Sequence, residues 1–137
     1  TTVAFLDLSD LILTVCNPDI ASLRNLRIFL DAAGHLGYSC DKIRLVMNRA
    51  DMRGAIPQAE IEKVCRYRVS YTIPNDHEAV SNSINHGRPL VSAQPQRPVS
   101  KEIARLAAAL ADSRTGQDAE AKSLKTGLGR LFARAAK

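Results

Sequence analysis

Leu11-Ile-Leu-Thr-Val-Cys16 runs straight into Asn17-Pro18-Asp19, and Ile43-Arg-Leu-Val-Met47 runs straight into Asn48-Arg49-Ala50-Asp51. Both are short apolar runs that stop abruptly on polar, turn-forming residues. Such a run is too short for a core helix, and the first has the near-continuous apolar character of a strand buried on both faces. A third run, Val69 to Ile73, ends the same way on Pro74-Asn75-Asp76.

The segments between them have helical spacing. Asp19 or Ser22 can cap a helix reaching about Leu36, with Leu23, Leu26, Ile28, Phe29, Leu30, Ala32, Ala33 and Leu36 as its apolar positions. Arg24, Asn25, Arg27 and Asp31 form its wetter side, and Gly34 and Gly37 mark its end. Pro57 suits a first helical position and opens Gln58 to Cys65. Asp76 can cap a helix through Asn85, closed by Gly87. Thr1 to Leu8 suit the end of a helix, with Asp10 near its stop. Arg88 to Val99 holds three prolines and is expected to be a surface loop, after which Ser100 opens a helix to about Ala111.

Strand and helix therefore alternate, the signature of a parallel sheet with right-handed crossovers. The expected class is α/β, a three-layer parallel sheet with flanking helices over residues 1–111 and a C-terminal amphipathic helix. Residues 112–118 are expected to be a linker and 119–137 a basic tail helix. Three strands make a thin sheet, and the apolar first strand is expected to lie inside a larger one. With no Met before Thr1, a fragment or processed end whose N-terminal half is missing is the expectation.

Composition narrows the classes. A chain of 137 residues with 45% hydrophobic and 24% charged residues is globular and has room for one domain. Its apolar runs are far shorter than the ~20 residues of a membrane span. The net charge of +5 is unevenly placed: residues 1–96 hold ten basic and ten acidic residues, residues 97–137 nine and four. A neutral body with a basic tail does not suit a nucleic-acid-coating domain, and no nucleic-acid partner is expected. Cys16, Cys40 and Cys65 are widely spaced and odd in number, as expected of buried small hydrophobes in a reducing, cytoplasmic protein.

Ligands of open parallel sheets gather beyond the carboxyl ends of the strands. The segments at 16–19, 48–51 and 74–76 all fall there. The side-chain amide of Asn48 offers a donor and an acceptor together, as a nucleobase edge does, and a proline can set a flat apolar face against a base. The same residues also suit plain turns and caps. Asn48-Arg-Ala-Asp51 partly resembles the N-K-x-D base-reading motif of GTPases, with Arg in place of Lys. The P-loop pattern G-x-x-x-x-G-K-[ST] is absent, since none of the seven glycines precedes a lysine. His35, His77 and His86 lack metal-ligand spacing, and no hydrolase or zinc motif occurs.

Taken in order, these segments resemble the C-terminal half of a MinD/ParA-type P-loop ATPase, closest to the CpaE/TadZ-like pilus-assembly branch. The resemblance rests on Asp10-Leu-Ile-Leu-Thr-Val, Asn17-Pro18-Asp19 with Ser22-Leu23-Arg24-Asn25, Lys42-Ile-Arg-Leu-Val-Met-Asn48-Arg49 and Glu60-Ile61-Glu62. Ile73-Pro74-Asn75-Asp76 and Asn85-His86-Gly87-Arg88-Pro89-Leu90 complete it. It implies a partial P-loop NTPase fold in which Asn48 reads adenine and Pro74 lies against the base. Arg49, Asn75 and Asp76 belong to the same cofactor-binding set, and no catalytic or metal-ligating residue is expected. ATP and Mg²⁺ are implied for an intact member. This chain alone is expected to bind ATP no better than millimolar and not to hydrolyse it. The implied partners are a second copy in a homodimer or the missing N-terminal half, with pilus or secretion machinery beyond.

In the tail, Leu124, Leu128, Leu131 and Phe132 form one apolar helical stripe flanked by Lys125, Arg130 and Arg134. An interfacial membrane helix is built this way, and the stripe is similar in kind to the C-terminal membrane-targeting helix of MinD. Peripheral contact with an anionic membrane at the inner face of the cell is one expectation; packing on the body or a protein partner, and a disordered basic end, are the others. Two rival readings stand beside the ATPase one. A receiver-like, non-enzymatic interaction module would use Asp19, Asp51 and Asp76 as an acidic cluster. A small GTPase fragment would rest on Asn48 to Asp51.

Overall fold

The computed structural model describes residues 2–112. The order is α1 (Thr2–Leu8), β1 (Ile12–Cys16), α2 (Ile20–His35), a 3₁₀ turn (Cys40–Lys42), β2 (Ile43–Asn48), α3 (Gln58–Cys65), β3 (Val69–Ile73), α4 (His77–Asn85) and α5 (Leu90–Ala93). Residues 98–112 are helical as well. Two compact units are set off, Thr1–Glu102 and Ile103–Lys137; the described part of the second, 103–112, is helix. The tail stripe from Leu124 to Arg134, and the linker beyond residue 112, lie outside the described residues.

The sheet has the order β1-β2-β3, all parallel. Both crossovers step the same way across the sheet, and α2 and α3 share one buried cluster on one face, as crossovers of a single hand require. That face carries the core. Cys16 from β1, Leu45 and Met47 from β2, Leu23 and Leu26 from α2, and Ile61 from α3 form one buried cluster. Ile12, Ile43 and Ala33 form a second. Leu45 and Ile61 are wholly enclosed, each contributing about 1.5–3 kcal/mol by burial. On the other face of β2, Val46 is buried too, which is why the middle strand is apolar without a break from Leu45 to Met47.

Local chemistry fixes the ends of the helices. Asp19 is the N-cap of α2, accepting from Ser22 N–H at 2.8 Å. Gly37, at φ 79°, lets the chain reverse so that Tyr38 N–H reaches Ala33 O at 3.0 Å, closing α2 by a Schellman bond. Gly34, expected at that end, lies within the helix. Glu62 accepts from Val69 N–H at 2.9 Å and Gln58 Nε2 at 3.0 Å, tying α3 to the first residue of β3. These two bonds, the backbone one first, hold its carboxyl below the usual carboxylate range.

The structure corrects several expectations. Strand β1 is not buried on both faces: Leu13 is 39% and Val15 61% exposed. The apolar run signals two apolar faces, but among the described residues only one is covered. Ile28 faces solvent, and Cys40 is exposed rather than a core residue. Pro57 is the N-cap of α3 rather than its first helical residue. The proline-rich 88–99 segment contains α5, and the following helix begins at 98, so Ser100 lies inside it. Ser100 is buried, and its hydroxyl has no hydrogen-bond partner among the described residues, so it is no cap. Proline again explains the shift, since Pro98 is preset for a first helical turn.

Strand β1 pairs only with β2 among the described residues, leaving its outer edge and the side chains of Leu13 and Val15 open. Such an edge templates pairing with another chain. The 137-residue chain is expected to self-associate in sedimentation velocity runs, and Val15→Lys should shift it toward monomer. A parent that stays monomeric at high concentration would contradict this.

Candidate functional site

Register builds the site. β1 and β2 pair without a break from Ile12↔Ile43 to Cys16↔Met47. One step further along, Asn17 stands level with Asn48, and Asn48 Nδ2 donates to Asn17 Oδ1 at 3.3 Å. Between β2 and β3 the pairing slips once, from Leu45↔Val69 to Val46↔Tyr71, with Ser70 as the extra residue. The slip brings Ile73 opposite Asn48, so Pro74 follows at the same edge. Without the extra residue, Tyr71 and Ile73 would point to the other face. Asn17, Asn48 and Pro74 thus meet at the carboxyl edge of the sheet.

Asn48 is half-buried and is the last residue of β2. Its Oδ1 accepts no hydrogen bond among the described residues, leaving an acceptor at the strand end. Arg49 follows at φ 55°, a left-handed conformation that costs a non-glycine residue about 1–2 kcal/mol. The turn it starts closes with Met52 N–H to Arg49 O at 3.0 Å. Three bonds tie this turn to the end of β3 and the loop after it: Ala50 N–H to Ile73 O at 3.0 Å, Arg49 Nε to Asn75 Oδ1 at 3.1 Å, and Asn75 N–H to Asp51 Oδ1 at 2.5 Å. On the other side, Ile56 N–H donates to the carbonyl of the buried Pro18 at 3.0 Å.

Asp76 is the N-cap of α4, accepting from Ala79 N–H at 3.1 Å, while Arg97 Nη1 lies 3.6 Å from its other oxygen. Of the five residues expected at the site, Asn48, Arg49, Pro74 and Asn75 therefore cluster at one edge, and the Asp76 carboxylate is turned to its own helix. Asn17, Asp51 and Arg97 are partners that the site list drawn from sequence leaves out. The register could have singled out Asn17, but only tertiary contact reveals Arg97, which comes from the loop after α5. The carboxylates of Asp19, Asp51 and Asp76 each accept a backbone N–H, so they do not converge as a receiver's acidic cluster would. No group of three metal-ligating side chains occurs among the described residues.

A cavity of about 230 Å³ lies at the opposite end of the strands, lined by Arg27, Tyr38, Cys40, Ile43, Cys65 and Tyr67. Burial pushes the Cys65 thiol up, away from nucleophilic thiolate character. Cys16, in the core, is raised by the same cause. The carboxyl edge remains the candidate.

Comparison with known proteins bears on the fold. No family model matches the chain, and no curated protein matches it. Among solved structures it is similar to a ParA family ATPase from Chlorobium tepidum TLS, with 30% identity and a TM-score of 0.69 over 74% of this chain and 42% of that one. It is similar to the cell division ATPase MinD of Pyrococcus furiosus, with 25% identity and a TM-score of 0.65 over 81% and 46%. The septum site-determining protein MinD from Pyrococcus horikoshii OT3, complexed with Mg-ADP, shares the fold at 19% identity and a TM-score of 0.54 over 66% and 37%. The chain spans less than half the length of each of these structures. Its fold is that of part of a ParA/MinD-type P-loop ATPase.

Asp19 gives this edge a pH signature. The Ser22 N–H and then the Ser22 hydroxyl hold its carboxyl below the ordinary range. A folded-state value below the unfolded one, about 3.9, means its contribution is complete above that pH. The contribution is lost as pH falls through the folded value. Asp19→Asn keeps an acceptor that does not titrate in this range. In urea titrations between pH 2 and 6 the variant should lose less stability on acidification than the parent. Parallel pH profiles would rule out the Asp19 cap as a source of acid sensitivity.

Proposed function

We propose that this chain forms the base-holding side of an ATP-binding domain of the ParA/MinD kind. The observation that carries the reading is the meeting of Asn48 and Pro74 at one carboxyl edge, with Arg49 held left-handed between them. An adenine edge presents an amino donor beside a ring acceptor, and a side-chain amide complements that pair. Asn48 would accept through Oδ1, and the half-buried Pro74 would offer its ring to the base face. The donor set at this edge fits a base and offers nothing built for a triphosphate. The Mg-ADP in the P. horikoshii MinD complex supports ATP with Mg²⁺ as the ligand. The triphosphate supplies the hydrolysable bond when bound. The 137 residues contain no P-loop pattern, so the phosphate side would come from other sequence or another chain, and hydrolysis is assigned only to the assembled domain.

The sequence resemblance extends the reading to a CpaE/TadZ-like positioning or assembly factor for a pilus or secretion machine. It would work as an ATP-linked homodimer at the inner face of the membrane, with residues 119–137 supplying reversible membrane contact. Each apolar residue of the tail stripe would add burial, and each cation about 1 kcal/mol near an anionic surface.

The base reading is tested by comparing ATP with GTP. Asn48→Ala should weaken ATP relative to GTP by about 1–3 kcal/mol, the cost of an unpaired base edge. Chemical-shift titrations can read this even at millimolar affinity, and an unchanged ATP:GTP ratio would remove Asn48 from the site. The tail reading is tested by co-sedimentation with anionic vesicles. Leu131→Glu and deletion of 119–137 should both reduce pelleting, and salt should weaken what remains. Pelleting equal to the parent's in both variants would reassign the tail to protein packing.

A further inference from the structure

The segment Asn48-Arg49-Ala50-Asp51 ends in an aspartate at the place where a GTPase-type motif would present one to guanine. Here that carboxylate faces elsewhere. Asp51 Oδ1 accepts from Asn75 N–H at 2.5 Å, across the gap between the loop after β2 and the loop after β3. Arg49 from the same turn donates through Nε to Asn75 Oδ1 at 3.1 Å. Asn75 is therefore held at two points, backbone and side chain, by two residues of one turn. Ala50 N–H to Ile73 O, at 3.0 Å, adds a third tie on the near side of Pro74. Pro74 sits between these anchors and has no N–H of its own to fix it.

We infer that Asp51 is a positioning residue for the proposed base site: by holding the Asn75 amide through Oδ1 it sets Pro74 beside Asn48, and that oxygen is engaged by the backbone rather than offered to guanine. The inference rests on the nucleotide reading above and adds to it a residue that touches no ligand. It also explains the strained Arg49. The left-handed residue turns the chain so that Arg49, Ala50 and Asp51 all reach the β3 loop, and those bonds offset the conformational cost.

The test uses the full 137-residue chain, isotopically labelled, titrated with AMP and with GMP while the backbone amides of residues 47–52 and 75–77 are followed. Exchange of the Asn75 backbone amide is measured in parallel. Asp51→Ala should weaken AMP binding about fivefold, the size of one net hydrogen bond, and speed Asn75 exchange. Asp51→Asn, which keeps an acceptor oxygen, should restore both to within about twofold of the parent, a rescue based on acceptor geometry. Asn48→Ala should weaken AMP and leave Asn75 exchange unchanged. Asp51→Ser serves as a second truncation if the alanine variant loses its dispersed spectrum.

AMP binding by Asp51→Ala equal to the parent's would overturn the inference, as would failure of Asp51→Asn to rescue. GMP binding stronger than AMP in the parent, and lost in Asp51→Asn, would make Asp51 a direct guanine reader and overturn it too. A parent that binds neither nucleotide would overturn the nucleotide reading itself and the positioning role with it. Faster Asn75 exchange in Asp51→Ala would then mark a purely structural tie.

Discussion

The unbroken register between β1 and β2 is the constraint on which the rest depends. Because Ile12 pairs with Ile43 and Cys16 with Met47, the alternate residues of both strands that face α2 and α3 form one apolar surface. A one-residue slip would turn Leu45 and Met47 away from that core and bring Arg44 and Val46 into it. Enclosure of Leu45, Met47 and Ile61 makes the register energetically definite. The same register sets Asn17 beside Asn48, so core packing and site geometry share one cause. The extra residue at Ser70 then adjusts the third strand to bring Pro74 to the same edge.

Much of this was legible in the sequence, for identifiable reasons. The three strands and the three helices α2, α3 and α4 announce themselves by apolar period and by punctuation at Asp19, Gly37, Pro74, Asp76 and Gly87, where caps and left-handed closures follow. The expectation failed where pattern and environment part company. Leu13 and Val15 suggest a strand covered on both sides, yet whether a second layer covers an apolar face is not encoded within the strand. Ser100 has the residue type of a cap, but Pro98 starts the helix earlier and carries Ser100 into the interior. At the site, Asn48 and Pro74 could be found by position after a strand. The turning of Asp51 toward Asn75, and the approach of Arg97 to Asp76, depend on contacts between segments more than twenty residues apart.

The arrangement divides labour between a stiff interior and an edge of loops. Interior strand β2 carries the largest buried side chains and ends directly in Asn48, so the side chain proposed to read the base stands on the most deeply buried strand. The loops beyond it are fastened to one another by exposed hydrogen bonds, individually weak but mutually supporting. The base reading proposed above would draw on this tied edge, with little further ordering of its loops. In fold the chain resembles part of the ParA and MinD ATPases.

Photolabelling with an 8-azidoadenine nucleotide tests the central claim most directly, because it reports where a base rests without presupposing which residues hold it. The account predicts that label, competed by ATP, falls on peptides covering residues 43–53 and 69–80 at the carboxyl edge of the sheet. Competable label concentrated instead around residues 27–40 and 64–67, at the opposite end of the strands, would contradict it.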